Sequence, residues 1–218
     1  MKITYYGHSS FKVEASDGTR VILDPYVAGS FDGAISYAPI NEPADAVIAS
    51  HEHDDHAGVD AIPGNPLILV HPKSQMVGGI QVTGIDVAHD EVGGTKRGRN
   101  TIVVLDDGDI RLAHLGDLGH LLDQATIDAL GRLDVILIPV GGFFTIDEKE
   151  AAQVADSLSP RIVVPMHYKT EKCDFPIAPV SAFVKTQTNV VQLASSVMEV
   201  TSESLPQDRQ TVVMQHAR

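Results

Sequence analysis

The sequence predicts an α/β fold, and two regularities predict that class. Its first half reads as short runs of β-branched and apolar residues separated by turn signals, as strands do. Its second half alternates helical periodicity with continuous apolar runs, the pattern of strands covered on both faces. A further observation locates the chemistry: histidines and aspartates stand just past the ends of several apolar runs, where loops converge without breaking a ladder. At 218 residues the chain is most economically one domain, residues 1–218, long enough to bury a large core without staples.

Taken in order, Ile3–Tyr6, Ser10–Glu14 and Arg20–Leu23 are expected strands, with Asp17-Gly18 a hairpin signal between the second and third. Gly7-His8-Ser9-Ser10 separates the first two. Asp24-Pro25 ends the third, because proline has no ladder donor and pushes its predecessor out of helix. A loop rich in Gly, Ser and Pro, Val27–Pro43, leads to the strand Ala46–Ala49. Pro63-Gly64-Asn65-Pro66 is a turn before Leu67–Val70, and Ile80–Val87 is the next strand. The loop Glu91–Asn100 holds three glycines and the basic cluster Lys96, Arg97 and Arg99. Thr101–Leu105 and Ile110–Ala113 form a hairpin around Asp106-Asp107-Gly108. Leu122, Ala125, Ile127 and Leu130 predict a helix over Leu121–Leu130, with Gly131 as its stop. Val135–Val140 is an expected strand, and Asp147–Leu158 a helix with an acidic first turn that Ser159-Pro160 ends. Ile162–Val164, a short helix over Pro179–Lys185, and strands at Val190–Leu193 and Val212–Met214 complete the chain. No repeat, heptad or low-complexity segment appears.

A formal charge of -13 opposes nucleic-acid phosphates, and the small basic cluster suffices for one anionic group rather than a groove. The expected partner is therefore a small-molecule substrate, with no nucleic acid and no membrane; homo-oligomerisation stays open. No apolar stretch approaches the length that crosses a bilayer. Met1-Lys2 runs directly into a strand, so no signal peptide is visible, and the single Cys173 rules out an intrachain disulfide framework. Together these predict a cytoplasmic location. Cys173 itself reads as an incidental loop residue.

The densest signal is His51-Glu52-His53-Asp54-Asp55-His56, directly after an apolar run. In an extended segment His51 and His53 point to one side, and Asp55-His56 suits a turn into a helix start. Three imidazoles and a carboxylate form the N/O set that zinc prefers and that manganese or iron also accepts. His89, Asp117 and His167 each follow an apolar strand. With them the set reaches five His and two Asp, too many for one tetrahedral ion and suited to two ions sharing a carboxylate. Asp24 is expected to hydrogen-bond a ligand histidine. His8, His114, His120 and Tyr168 are candidates for the pocket wall, with plain packing equally weighted. Arg97 is a candidate bidentate clamp for a substrate phosphate or carboxylate, against the alternative of a solvated loop. His71, before a proline, reads as structural and His216 as a solvated tail residue.

Ser50-His51-Glu52-His53-Asp54-Asp55-His56-Ala57-Gly58, followed by His89, Gly116-Asp117 and His167, resembles the signature of the metallo-β-lactamase-fold hydrolases. Gly7-His8-Ser9-Ser10-Phe11, Leu23-Asp24-Pro25, Pro139-Val140-Gly141-Gly142, Phe144-Thr145-Ile146-Asp147 and Pro165-Met166-His167-Tyr168 narrow the likeness. They are similar to the branch with ascorbate-6-phosphate lactonase and the N-acyl phosphatidylethanolamine phospholipase D. His114-Leu115-Gly116-Asp117-Leu118-Gly119-His120 resembles uncharacterised prokaryotic zinc-dependent hydrolases. The resemblance spans essentially the whole chain and implies a four-layer αββα sandwich with metals at one edge. It implies that His51, His53 and His89 hold one ion, that Asp55, His56 and His167 hold the other, and that Asp117 bridges. It also implies that Asp55 orients a dinuclear-metal-bound hydroxide and takes its proton. The expected activity is hydrolysis of a small anionic ester, lactone or phosphodiester. The alternatives are nucleic-acid processing, which the acidic charge opposes, and a di-iron redox protein, which needs a flavodoxin-like partner domain. A non-catalytic metal scaffold is disfavoured by the complete ligand set.

Overall fold

The alternation that predicts the first strands decides how they pack. In the computed structural model, which describes residues 1–218, β1 (Lys2–Gly7) pairs antiparallel with β2 (Ser10–Glu14), and β2 with β3 (Arg20–Leu23). β3 runs parallel to β4 (Ala46–Ala49), and β4 to β5 (Leu67–Val70). The register sets Tyr5, Phe11, Leu23 and Ile48 side by side on one face. Thr4, Lys12, Ile22 and Val47 fall on the other, as a period of two requires. β13 (Val197–Glu199) pairs with β1 and completes a six-stranded sheet.

The second sheet has eight strands. β6 (Gln75–Val77), β7 (Ile80–Ala88), β8 (Arg99–Asp106) and β9 (Arg111–His114) run antiparallel. β9 continues parallel through β10 (Val135–Pro139), β11 (Ile162–Met166), β14 (Gln210–Val213) and β12 (Val190–Gln192). Every residue of β10 and β11 is buried, as their unbroken apolar runs predict. Ile3, Phe11, Leu23 and Ile48 of the first sheet share one core with Leu105, Ile136 and Val164 of the second. The helices α1 (Gln124–Leu130), α2 (Glu148–Leu158) and α3 (Val180–Val184) pack beside β7, β10 and β11 respectively. This is the expected α/β sandwich of two mixed sheets. Over the outer face of the six-stranded sheet the covering layer is loop: Tyr26, Ile35, Tyr37, Ile40, Phe175 and Ile177 bury Tyr6, Ile22 and Val47. No helix is long and apolar enough to cross a membrane.

Several boundaries differ from expectation, each for a local reason. β6 and β13 are three-residue strands at or beside the sheet margins, too short for a pattern to register. α1 begins at Gln124 because the Asp123 carboxylate caps it, accepting from Thr126 N at 2.8 Å, which leaves Leu121 and Leu122 outside. β11 continues through Pro165, since β14 pairs only with Ile162 and Val163 and needs no donor beyond them. The histidine-rich segment is neither extended nor a helix start. The amides of His56 and Ala57 both donate to His53 O, at 2.8 and 2.9 Å, closing a tight turn.

The directions of the strands position everything that follows. β1, β3 and β4 point one way in their sheet, and β7, β9 and β11 point one way in theirs. The C-terminal ends of these six carry His8, Asp24, His51, His89, Asp117 and His167, within one to three residues of each strand.

Candidate metal centre

His8, Asp24 and His167 are each the first residue past a strand, and each has a left-handed backbone (φ 53°, 43° and 51°). That conformation costs a non-glycine residue roughly 1–3 kcal/mol and persists where the surroundings over-determine it. Here it turns the three side chains out of the strand direction and into a buried cluster.

Two groups form there. His51, His53 and His89 offer ring nitrogens within 4.8 Å of one another, and so do His8, Asp55, His56 and His167 with their own ligand atoms. Asp117 lies between them. Its Oδ2 is 3.2 Å from His89 Nε2, 3.4 Å from His167 Nε2 and 3.9 Å from His51 Nε2, while its Oδ1 is 3.1 Å from His56 Nε2. The structure thus brings all seven expected metal-site residues together. It adds His8, whose Nε2 donates to Asp55 Oδ2 at 3.0 Å.

A scaffold of hydrogen bonds aims these groups. Asp24 is buried and accepts from Ser50 N (2.7 Å), Ser50 Oγ (2.6 Å) and His56 Nδ1 (2.7 Å). With its own proton on Asp24, Ser50 Oγ accepts from His51 Nδ1 at 2.9 Å. In the neutral form of both imidazoles Nε2 is thereby the lone pair, the role expected of Asp24 toward a histidine. Asn100 receives Asp117 N at 3.0 Å and donates to Leu115 O at 2.8 Å, which sets the turn after β9. Gly119 lies so close that a Cβ there would sit 2.3 Å from His89 C.

Burial, with His56 nearby, brings the His51 pKa down to about 3; burial, with His167 nearby, brings that of His8 down to about 4. His56 goes the other way. Burial alone would lower it, but Asp117, Asp55 and Asp24 raise it well above the ordinary value. Against the effect of their own burial, the surrounding imidazoles hold the Asp55 and Asp117 carboxyls well below the usual range.

The fit to a cation can be tested on the atoms themselves. Nε2 of His51, His56 and His167 and Oδ1 of Asp117 are buried without a hydrogen-bond partner. Unpaired buried polar atoms are rare and expensive, and four converging on one space form an N/O donor set of the kind divalent cations take. A cation held there would take the place of the proton that the carboxylates favour on His56.

The remaining candidates separate cleanly. A cavity of about 270 Å³ opens on the cluster, lined by His53, Asp55, His89 and Asp117 and by Phe31, Lys96, Arg97, Phe144 and Phe175. Arg97 therefore lies on the wall, one of the two placements weighed for it. His8, His120 and Tyr168 do not. His8 is fully buried behind Asp55, with Cys173 Sγ 3.8 Å from its Nδ1, so Cys173 is a buried packing residue rather than an incidental one. His120 is tied down by Ala88 N and Leu121 O, and Tyr168 is buried in the main core beside Tyr5. His114 is packing too: Nε2 donates to Ser9 O at 2.8 Å and Nδ1 accepts from Gly116 N at 3.1 Å. His71 is structural as expected, bonded to Thr101 Oγ1, whereas His216 is paired with Glu171 rather than solvated. Sequence reasoning missed Asp90, which accepts from the amides of Val92, Gly94, Lys96 and Arg97 and folds the loop that presents Arg97. Its place directly after His89 was the available signal. Of the three phenylalanines of the wall, Phe144 falls in a stretch that carries the resemblance, while Phe31 and Phe175 carried no signal.

Comparison with known proteins agrees with this geometry. Residues 2–167 match the family described as Beta-lactamase superfamily domain. A UPF0173 metal-dependent hydrolase of Archaeoglobus fulgidus is 30% identical over 203 residues, covering 78% of this chain and 84% of the relative. One from Methanopyrus kandleri is 32% identical over 203 residues, with 78% and 85% covered. A crystal structure from Thermotoga maritima, classed with the Zn-dependent hydrolases of the metallo-β-lactamase superfamily, superposes with a TM-score of 0.80. It is 33% identical, over 98% of this chain and 97% of that one.

Proposed function

Because the chain belongs to the metallo-β-lactamase superfamily of metal-dependent hydrolases, we propose that it cleaves a small anionic ester, lactone or phosphodiester with two divalent cations, zinc foremost. His51, His53 and His89 would hold one ion and Asp55, His56 and His167 the other, with Asp117 between. The observation that carries this reading is the position of Asp117, within 3.1–3.9 Å of imidazole nitrogens from both groups. Two such cations would supply a hydroxide at neutral pH and polarise the scissile oxygen.

The residues of the chain do the rest. His8 Nε2–H pins one oxygen of Asp55 at 3.0 Å, which leaves the other to orient the attacking water. Asp55 takes the proton from that water as its oxygen bonds to the carbonyl carbon or phosphorus. The leaving oxygen departs with the electron pair of the broken bond and receives the proton. Arg97, on the cavity wall, binds the anionic group of the substrate. The charge of -13 supports a small molecule over nucleic acid.

The test is metal analysis of the purified protein, then a panel of esters, lactones and phosphodiesters with chelator and metal add-back. Turnover abolished by chelation and restored by zinc or manganese is expected. Activity indifferent to chelation, or no turnover of any of the three classes, would overturn the reading.

A further inference from the structure

We propose that the substrate carries an aromatic ring beside its negative charge, with Phe31, Phe144 and Phe175 forming the slot for the ring and Arg97 pairing with the anion. The proposal rests on the hydrolytic reading for the position of the scissile bond, and on the cavity wall for everything else.

Aromatic residues are scarce in this chain, with six phenylalanines and no tryptophan. Two of the six, Phe11 and Phe183, are in the main core, and the other four gather at the mouth of the metal centre. Phe31 and Phe144 each meet Phe175 edge to face, with centroids 5.2 and 5.5 Å away. Phe143 meets Phe144 at 4.7 Å. Phe175 in turn lies 5.7 Å from the imidazole of His8, the residue that holds Asp55. The aromatic wall is therefore continuous with the reacting groups.

Two features separate this from ordinary packing. Phe31 and Phe143 both have left-handed backbones, φ 52° and 62°, which bulky side chains rarely adopt. Yet they remain 49% and 65% exposed, so burial of their own rings does not explain the strain. The second feature is charge. Six of the eight arginines form ion pairs with carboxylates, and of the two that do not, only Arg97 lines the cavity. Its Nη2 is anchored on Phe143 O at 2.8 Å, and its guanidinium lies 5.8 Å from the Phe144 ring. An arginine held by an aromatic wall, with no acidic partner in a chain this acidic, has its anion still to come. The cavity volume of about 270 Å³ falls below the roughly 300–1,000 Å³ of sites for drug-sized ligands, enough for one ring and the reacting group.

Calorimetric titration of the zinc-loaded protein with phenylphosphonate and methylphosphonate, which share an anionic head and differ by the ring, tests this. Phenylphosphonate should bind about tenfold more tightly. Phe144→Leu and Phe31→Ala should each shrink that ratio to about threefold or less, with methylphosphonate affinity nearly unchanged. Phe31 is half-exposed, so its variant folds even if the other does not. Arg97→Gln should weaken both ligands alike and leave the ratio intact. Equal binding of the two phosphonates, or a ratio the phenylalanine variants do not move, overturns the proposal. The same protein is given phenyl- and methyl-substituted esters, lactones and phosphodiesters. Turnover without aryl preference sinks this inference alone, whereas no turnover with the phosphonate ratio intact sinks the hydrolytic reading instead.

Discussion

Replacing Asp24 with asparagine isolates what the hydrogen-bonded scaffold does for the metal centre. Asparagine keeps the volume and tolerates the left-handed backbone at φ 43°. It offers one acceptor oxygen where aspartate offers two. Oδ2 now accepts from His56 Nδ1 and Ser50 Oγ, and Oδ1 accepts from Ser50 N. If the amide nitrogen takes the Oδ2 position it faces His56 Nδ1 as a donor, and the imidazole must carry its proton on Nε2, closing the lone pair aimed at Asp117. If it takes the Oδ1 position it meets the Ser50 amide donor head-on. Losing such a support typically lowers metal affinity about 10–100-fold, or about 1.4–2.7 kcal/mol. Competition for zinc against a chromophoric chelator reads the ratio directly. If Asp24→Asn binds zinc within about twofold of the wild type and melts at the same temperature, the bond to His56 does not set its tautomer, and the reasoning fails.

Three further outcomes follow from the same geometry. His53 is exposed, so His53→Ala should change the stability of the metal-free protein by less than about 0.5 kcal/mol while abolishing turnover; full activity in that variant would reject the ligand assignment. Since the folded pKa of His8 lies near 4 and an unfolded histidine titrates near 6.5, only the unfolded chain binds the proton between them. Stability of the metal-free protein should therefore fall as pH drops from about 6.5 to about 4, with about 3 kcal/mol from His8. Urea unfolding at both ends of that window should show a smaller loss for His8→Asn, and identical losses would contradict the account. Gly119→Ala would press a Cβ into the His89 backbone, at 2.3 Å from its carbonyl carbon, so zinc content and melting temperature should both drop; an unaltered zinc content would mean that the turn gives way without moving His89.

Most of the strands and all seven residues gathered at the centre were legible in the sequence, because both kinds of signal are local. A period of two marks β1 to β3, unbroken apolar runs mark β10 and β11, and a ligand at the end of a strand needs only its neighbours to be recognised. What was not legible depends on distance or on aim. His8 could be put in a turn, but only the left-handed backbone turns it behind Asp55 and away from the cavity. Phe31 and Phe175 meet across 143 intervening positions, and nothing near either predicts it. The loop layer over Ile22 and Val47 was hidden for the same reason: Tyr26, Ile35 and Phe175 cover the sheet without forming an element of their own. α1 was overextended because Leu121 and Leu122 continue its apolar spacing, while the cap at Asp123 starts the helix after them.

The donors of the centre are divided between the two sheets. His51, Asp55 and His56 follow β4 in one, and His89, Asp117 and His167 follow β7, β9 and β11 in the other. A bound cation would thus clasp the seam of the sandwich, because each expected ligand set draws on both halves. Stripping the metal should loosen the joint between the halves before it disturbs either ladder, and occupancy of the centre becomes a gauge of whether the molecule is fully closed.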